Sequence, residues 1–419
     1  MSDKVKIGDV CRVYDGPHAT PTKISEGPIY LGIDAITEQG WLNPSGYNHL
    51  SEEDYVKWTK RVTPQENDIV FSYEATLGRY AMIPKGFYGC LGRRLAIVRA
   101  KDERVNPRWL YYYFLSPEWS AYIANRTIRG STVNRISVED FPKYEIPLPN
   151  REQQDAAVEV LSSIDKSIAN NSEILETLEE VGKMMYKQCF IQYEFPNADG
   201  KPYCSSGGDM IWCEELKKEI PCGWSIGQVA QLMTISTTSF DPKKHEDEVL
   251  EHYSIPAYDD GFYPVYEKGK TIESSKYVVY PDAILTSKLN PHFKRLWDPY
   301  IETDRAICST EFIVYRPVSI EQRPFCYAVL NSDEFYSHMA SKAISSTGSR
   351  KRIQPEVSAS FKLAIPSSDV IERFCEIYSP ILERQKKLRL QNHYLLELRA
   401  WLLPLLMNGQ ATIKQETTK

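Results

Sequence analysis

No apolar run in this 419-residue chain approaches the roughly 20 residues that cross a bilayer, so no membrane-spanning helix is expected. The opening residues, Met1-Ser2-Asp3-Lys4-Val5-Lys6, have no apolar stretch of the secretory type, and a cytoplasmic protein is expected. Nine cysteines are present, but at irregular spacing, which fits free thiols in a reducing compartment. Cys204, Cys213 and Cys222 are evenly spaced without a fourth ligand nearby. Zinc clusters place cysteines in close pairs, so no metal site is expected. Neither sign of charge dominates: 50 basic and 56 acidic residues leave a net charge of -6. That argues against indiscriminate coating of nucleic acid. It leaves room for local basic surfaces, because acidic segments elsewhere supply the negative total.

Catalytic motifs are also missing. No Gly-x-x-x-x-Gly-Lys loop exists to cradle a nucleotide phosphate, so ATP chemistry would belong to a partner. An adenine methyltransferase needs a glycine-rich cofactor loop and an Asn/Asp-Pro-Pro-aromatic turn. The nearest match, Asn290-Pro291-His292-Phe293, has the wrong third residue and no Phe-x-Gly-x-Gly before it, and reads as a loop. Pro281-Asp282 opens a nuclease-like pattern that no Glu-x-Lys or Asp-x-Lys completes. His245-Glu246 is followed at the required helical step by Val249 instead of a second metal ligand. No cofactor, S-adenosylmethionine included, is expected on this chain.

Two long helical patterns are present instead. Leu161, Ile164, Ile168, Leu175, Leu178 and Met185 recur at steps of three, four and seven, drifting toward a heptad seam. No proline falls between Pro149 and Pro196, and about forty residues of helix span roughly 60 Å. The second pattern begins after Ile365-Pro366, which repeats Ile146-Pro147. It carries Ile377, Ile381, Leu388, Leu395, Leu398 and Leu402. Leu161, Ile164, Ile168, Leu175 and Leu178 are expected to pair with Ile381, Leu388, Leu395 and Leu402. Residues 150–190 hold eight acidic and four basic side chains, whereas residues 367–409 hold five and six, a bias that favours pairing. Asn171 falls on the seam where leucine is expected. It is either a buried, register-fixing amide or an exposed one.

Each helical pattern follows a mixed, aromatic-rich stretch of about 140 residues, so the chain reads as a tandem duplication. Asp68-Ile69-Val70-Phe71-Ser72 matches Asp282-Ala283-Ile284-Leu285-Thr286-Ser287, and Leu110–Ser116 matches Phe325–Asn331. The loop from Arg129 to Ile136 matches that from Ser346 to Ile353. Short strands followed by a late helix give an α+β class. The boundaries are a first globule over 1–147, a central helix over 148–195, a connector over 196–222, a second globule over 223–365, a C-terminal helix over 366–409 and a tail over 410–419. The connector is rich in turn formers and is expected to lack regular structure. Arg129, Arg135, Arg350, Lys351 and Arg352 lie in matching polar loops and suit phosphate contact, or else are solvated turns. Arg79, Arg93, Arg94, Lys288, Lys294 and Arg295 follow predicted strands and suit base-edge contact, or else are ordinary surface charges.

The ordered set resembles one family. It comprises the helix start Ile146-Pro147-Leu148-Pro149-Asn150-Arg151-Glu152-Gln153-Gln154, the connector Phe195-Pro196-Asn197-Ala198-Asp199-Gly200, Ile220-Pro221-Cys222-Gly223-Trp224, and the ending Leu402-Leu403-Pro404-Leu405-Leu406-Met407-Asn408-Gly409. In that order, over nearly the whole chain, these segments resemble the specificity subunits of Type I restriction–modification systems. The resemblance implies two target recognition domains, each reading one half of a split double-stranded DNA site. It implies two long antiparallel coiled-coil helices that fix the distance between the halves and dock two methyltransferase subunits. It also implies a restriction and translocation subunit that joins the assembly, with S-adenosylmethionine, ATP and Mg2+ on those partners. The chain itself is expected to be non-catalytic. The alternatives are a fused methyltransferase or nuclease, which needs the missing motifs, and a coiled-coil scaffold, which does not need two different globules.

Overall fold

The computed structural model describes residues 4–130, 133–345 and 350–411. They form two compact units. The first comprises Met1–Lys166 with Leu396–Lys419, and the second Ser167–Leu395. Both long helices contribute to both units.

In the first unit, strand Lys4–Lys6 pairs antiparallel with Glu145–Pro147 and closes the globule at its two chain ends. Between them lies a four-stranded antiparallel sheet in the order Cys11–Asp15, Leu95–Ala100, Ile69–Ser72, Tyr80–Met82. Ile69-Val70-Phe71-Ser72 is buried on both faces, which is why it reads as a continuous apolar run rather than an alternating one. A smaller sheet joins Ile24–Leu31 to Gly89–Leu91 in parallel and to Asn48–His49 in antiparallel fashion. Helices Pro107–Phe114 and Pro117–Ala124 each have proline in the first turn, where no amide partner is lost. Asn106 and Ser116 cap them by accepting from the amides of Arg108 and Trp119.

The second unit repeats this order. Ser225–Gln228 pairs with Lys362–Ile365. The four-stranded sheet runs Met233–Ser236, Phe312–Pro317, Ile284–Ser287, Leu296–Trp297. A parallel pair again joins Val249–Tyr253 to Ala306–Ser309. Arg99 and Asp68 of the first unit are matched by Arg316 and Asp282 of the second, ion-paired at 2.7 Å and 3.0 Å. The smaller sheet differs. Ser239–Phe240 and Lys276–Val278 extend it to five strands in the second unit.

The connector departs from the sequence expectation. Met210–Cys213 and Lys218–Pro221 form a hairpin, and Phe195 stacks on Tyr203 and Trp224 with centroids 4.6 and 5.2 Å apart. Turn residues place the bends, but three stacked rings supply the burial that an irregular loop lacks.

The central helix, Arg151–Tyr186, starts where Asn150 Oδ1 accepts from the amide of Gln153. It ends in one wider turn, with Gln192 N donating to Lys187 O at 2.9 Å. The C-terminal helix, Ser368–Met407, runs through Pro380, whose exposed position tolerates the missing amide donor. The helices pair antiparallel in each unit. In the second, Asn171 meets Asn392 and Gly182 meets Tyr378. In the first, Asp165 meets Arg399, and Leu161 shares a core with Leu403, Leu406 and Met407. Leu161, Ile164, Ile168 and Leu388 are buried. Leu175, Leu178, Ile381, Leu395 and Leu402 are half-buried at its flank. Ile377 and Leu398, which share the helical spacing, face away and are exposed. Tyr378, Gln385, Asn392, Arg399 and Leu406 recur every seven residues and fill the row that leucine periodicity passes over. Among the described residues no helix is long and apolar enough to cross a membrane.

Candidate nucleic-acid interface

The duplicated scaffold brings the same two loops together in each unit. The first follows the central strand of the four-stranded sheet. Ser72 Oγ and Ser287 Oγ turn back to hydrogen-bond the carbonyls of Thr76 and Leu289. Ala75 and Asn290 then adopt positive φ, 67° and 49°. The second loop is a hairpin on the chain leading to the long helix. It pairs Ile128 with Arg135 in the first unit and Ile344 with Arg352 in the second. The two loops are stitched together in the same way. Glu74 bridges Arg135, and Leu289 bridges Arg352. Ala75 N donates to Asn134 O at 3.3 Å, and Asn290 N to Lys351 O at 2.7 Å. The hairpin tips at 131–132 and 346–349 lie outside the described residues.

The eleven basic residues singled out in the sequence fall into two groups. Arg129, Arg135, Arg350 and Lys351 are exposed on the hairpins, and Arg93 on the turn before Leu95–Ala100. Among the described residues, none of these five side chains makes a hydrogen bond or ion pair. Lys288 is half-buried and likewise free of ion pairs. The others are engaged. Arg79 and Arg295 occupy equivalent places, since Ser72 N donates to Arg79 O and Ser287 N to Arg295 O. Each is held by a carboxylate: Arg79 by Glu38 at 2.7 Å, and Arg295 by Asp259 through two bonds of 2.7 and 2.9 Å. Such clamps fix the direction of a guanidinium and limit its reach. Arg94 Nε lies 3.0 Å from Glu74 Oε1, off the hydrogen-bonding direction, as an ion pair. Arg352 forks onto Glu311 at 2.9 to 3.2 Å.

Lys294 corrects the sequence reading. Its Nζ turns inward to the carbonyl of Asn331 at the end of helix Arg323–Asn331, 5.2 Å from the Tyr336 ring centroid. Burial depresses its pKa, with Lys183 adding repulsion. A helix C-terminus attracts a cation, and that interaction outweighs the open surface a strand-end lysine suggests. Among the described residues, no group of three or more His, Cys, Asp or Glu side chains is placed to hold a metal ion.

Residues 2–180 match the family model described as the Type I restriction modification DNA specificity domain. That match covers the first globule and most of the central helix. Over 292 residues it is 28% identical to the Type I restriction enzyme MjaIX specificity subunit of Methanocaldococcus jannaschii, covering 66% of this chain and 60% of that protein. A second similarity, 26% over 173 residues, is to the putative Type I restriction enzyme MjaX specificity subunit of the same organism. It covers 40% of this chain and 38% of that one. The matched parts thus span less than two thirds of the length of these curated relatives. Among solved structures, the fold is similar to the Type I restriction–modification system S subunit from M. genitalium. The TM-score is 0.57 at 15% identity, covering 97% of this chain and 96% of the other. At that identity the likeness is one of fold alone.

Within the matched region and its repeat, sequence reasoning missed what holds the basic residues. Glu38, Asp259 and Glu311 lie 41, 36 and 41 residues from Arg79, Arg295 and Arg352, and no local pattern connects them.

Proposed function

We propose that the chain is the non-catalytic DNA specificity subunit of a Type I restriction–modification complex, working in the cytoplasm. Each unit reads one half of a bipartite double-stranded site. The hairpin cations Arg129, Arg135, Arg350 and Lys351 take phosphates, and Arg79 and Arg295, aimed by their carboxylates, approach base edges. The paired helices set the gap between half-sites. They also dock two methyltransferase subunits, which carry S-adenosylmethionine, while restriction subunits carry ATP and Mg2+. A docking surface present twice supports two copies of one partner. Val181 and Met184 are exposed on the central helix, and Leu398 and Trp401 occupy the matching positions of the C-terminal one.

The observation that carries this reading is the repetition of one loop pair on one scaffold with different side chains. A single ligand shared by two copies would favour identical surfaces. Two half-sequences require different ones. The test is replacement of residues 1–145 by the corresponding globule of a related subunit, followed by sequencing of methylated DNA from cells carrying the chimera and its methyltransferase. One half of the methylated motif should change. A change in both halves, or in neither, overturns the division of labour.

A further inference from the structure

Phe293 stands out among the loop residues. It is 55% exposed, although it belongs to a tightly held turn. Its amide donates to Asn290 O at 2.9 Å, and Asn290 is tied to the hairpin twice, by Asn290 N to Lys351 O at 2.7 Å and Lys351 N to Asn290 Oδ1 at 2.9 Å. Pro291 is buried, so the turn is anchored at its base. The His292 ring lies 4.2 Å from the Phe293 ring, and the Arg295 guanidinium, itself clamped by Asp259, lies 5.5 Å from it. The ring is thus presented outward on a short, braced support. Arg350 and Lys351, both exposed and without ion pairs among the described residues, lie on the hairpin to which Asn290 is tied.

The first unit does the opposite with the same turn. Its counterpart, Ala75 to Gly78, offers Leu77, which is half-buried and packs against the first unit's core. An exposed ring on a turn tied to a hairpin that carries unpaired cations suits a ligand that is anionic at its edge and apolar within. Duplex DNA has that layout, with phosphates outside and stacked bases inside. Apolar side chains such as phenylalanine enter base steps and partly unstack them.

We infer that Phe293 is a wedge that enters a base step in the half-site bound by the second unit, while Arg350 and Lys351 hold the flanking phosphates. This rests on the specificity-subunit reading. It adds that the two halves are read unequally, the second partly through the ease with which its sequence unstacks.

The test uses the chain assembled with its methyltransferase and a duplex bearing the methylated motif identified by sequencing. 2-Aminopurine is placed at successive positions other than the methylated adenine. Fluorescence should rise at one step within one half-site. Phe293→Ala should abolish that rise and weaken binding about tenfold, equivalent to about 1.4 kcal/mol, with an unchanged salt slope. Phe293→Trp should retain the rise, and thermal melting of each variant confirms folding. The wedge is overturned if no position responds in the parent, or if the response survives Phe293→Ala. It is also overturned if Phe293→Ala instead disrupts assembly on size exclusion, because the ring then meets a protein. If the parent assembly binds its methylated motif no better than a scrambled duplex, the specificity reading itself fails.

Discussion

Asn171 Nδ2 donates to Asn392 Oδ1 at 2.9 Å within the helix seam of the second unit, and Asn392 Nδ2 reaches Ser172 Oγ at 3.4 Å. Asn171 is buried. An amide pair in a seam is satisfied only when the two residues sit level, so it selects one register at a cost in stability. Asn171→Leu should destabilise the chain by about 1 to 3 kcal/mol, the penalty of leaving Asn392 unsatisfied. Asn171→Leu with Asn392→Leu should recover that loss, since both polar groups are then gone. Urea denaturation of the two single variants and the double variant measures the coupling. Additive effects would show that the pair does not act as a unit.

The salt dependence of DNA binding tests the hairpins. Arg350 and Lys351 are unpaired among the described residues, whereas Arg352 is forked onto Glu311. Replacing all three by alanine should therefore flatten the slope of log K against log salt by up to about two phosphates' worth, each about 0.9, rather than three. Arg352→Ala alone should leave the slope near the parent value. A full loss of slope with that single change would mean that Arg352 leaves Glu311 for a phosphate.

The duplication, the α+β class and the two helices were legible because they rest on repeated local patterns. Strand Ile69–Ser72 and its counterpart Ile284–Ser287 are short apolar runs in matching places of the two copies. The helix seam was half legible. Leucine spacing finds Leu388 and its flanking row, but Tyr378, Gln385, Asn392 and Arg399 are invisible to a hydrophobicity pattern. The burial of Arg399 depends on partners: its Nε bonds Asp165 Oδ1 at 2.7 Å, and Tyr112 OH bonds the other Asp165 oxygen at 2.7 Å. The free hairpin cations and the carboxylate-held arginines looked alike in the sequence for the same reason. Ion pairing across some 40 residues depends on tertiary contacts, which composition does not encode.

His252 predicts an acid-side loss of stability. Its Nδ1 lies 2.7 Å from Glu267 Oε1, and its Nε2 is buried without a partner among the described residues. Burial pushes its pKa below the ordinary imidazole value, against the opposing hydrogen bond to Glu267. The unfolded chain therefore takes up this proton more readily than the folded one. The contribution is fully present above the ordinary value of about 6.5 and is lost as pH falls from there through the folded-state pKa. His252→Gln should flatten the decline in melting temperature below about pH 6.5. The same pH dependence in variant and parent would assign the decline to other groups.

The last prediction concerns the gap between half-sites. A heptad adds about 10 Å of helix at 1.5 Å per residue, and base pairs are about 3.4 Å apart along the duplex. One heptad thus corresponds to roughly three base pairs. It must enter both helices, because insertion in one alone puts the antiparallel seam out of register. Leucine spacing alone puts the point facing Ile168 near Leu388. The observed pairs, Asn171 with Asn392 and Asp165 with Arg399, place Ile168 opposite Leu395, one heptad further along. The insertions therefore belong after Ile168 and just before Leu395. Seven residues keep each apolar row on its own face, so the seam should re-form with little relative rotation. Size exclusion with the methyltransferase first establishes that the complex assembles. Sequencing of methylated DNA should then return both half-sequences unchanged, separated by about three more unspecified base pairs. An unchanged gap in an intact complex would assign the spacing to the partner subunits rather than to the helices.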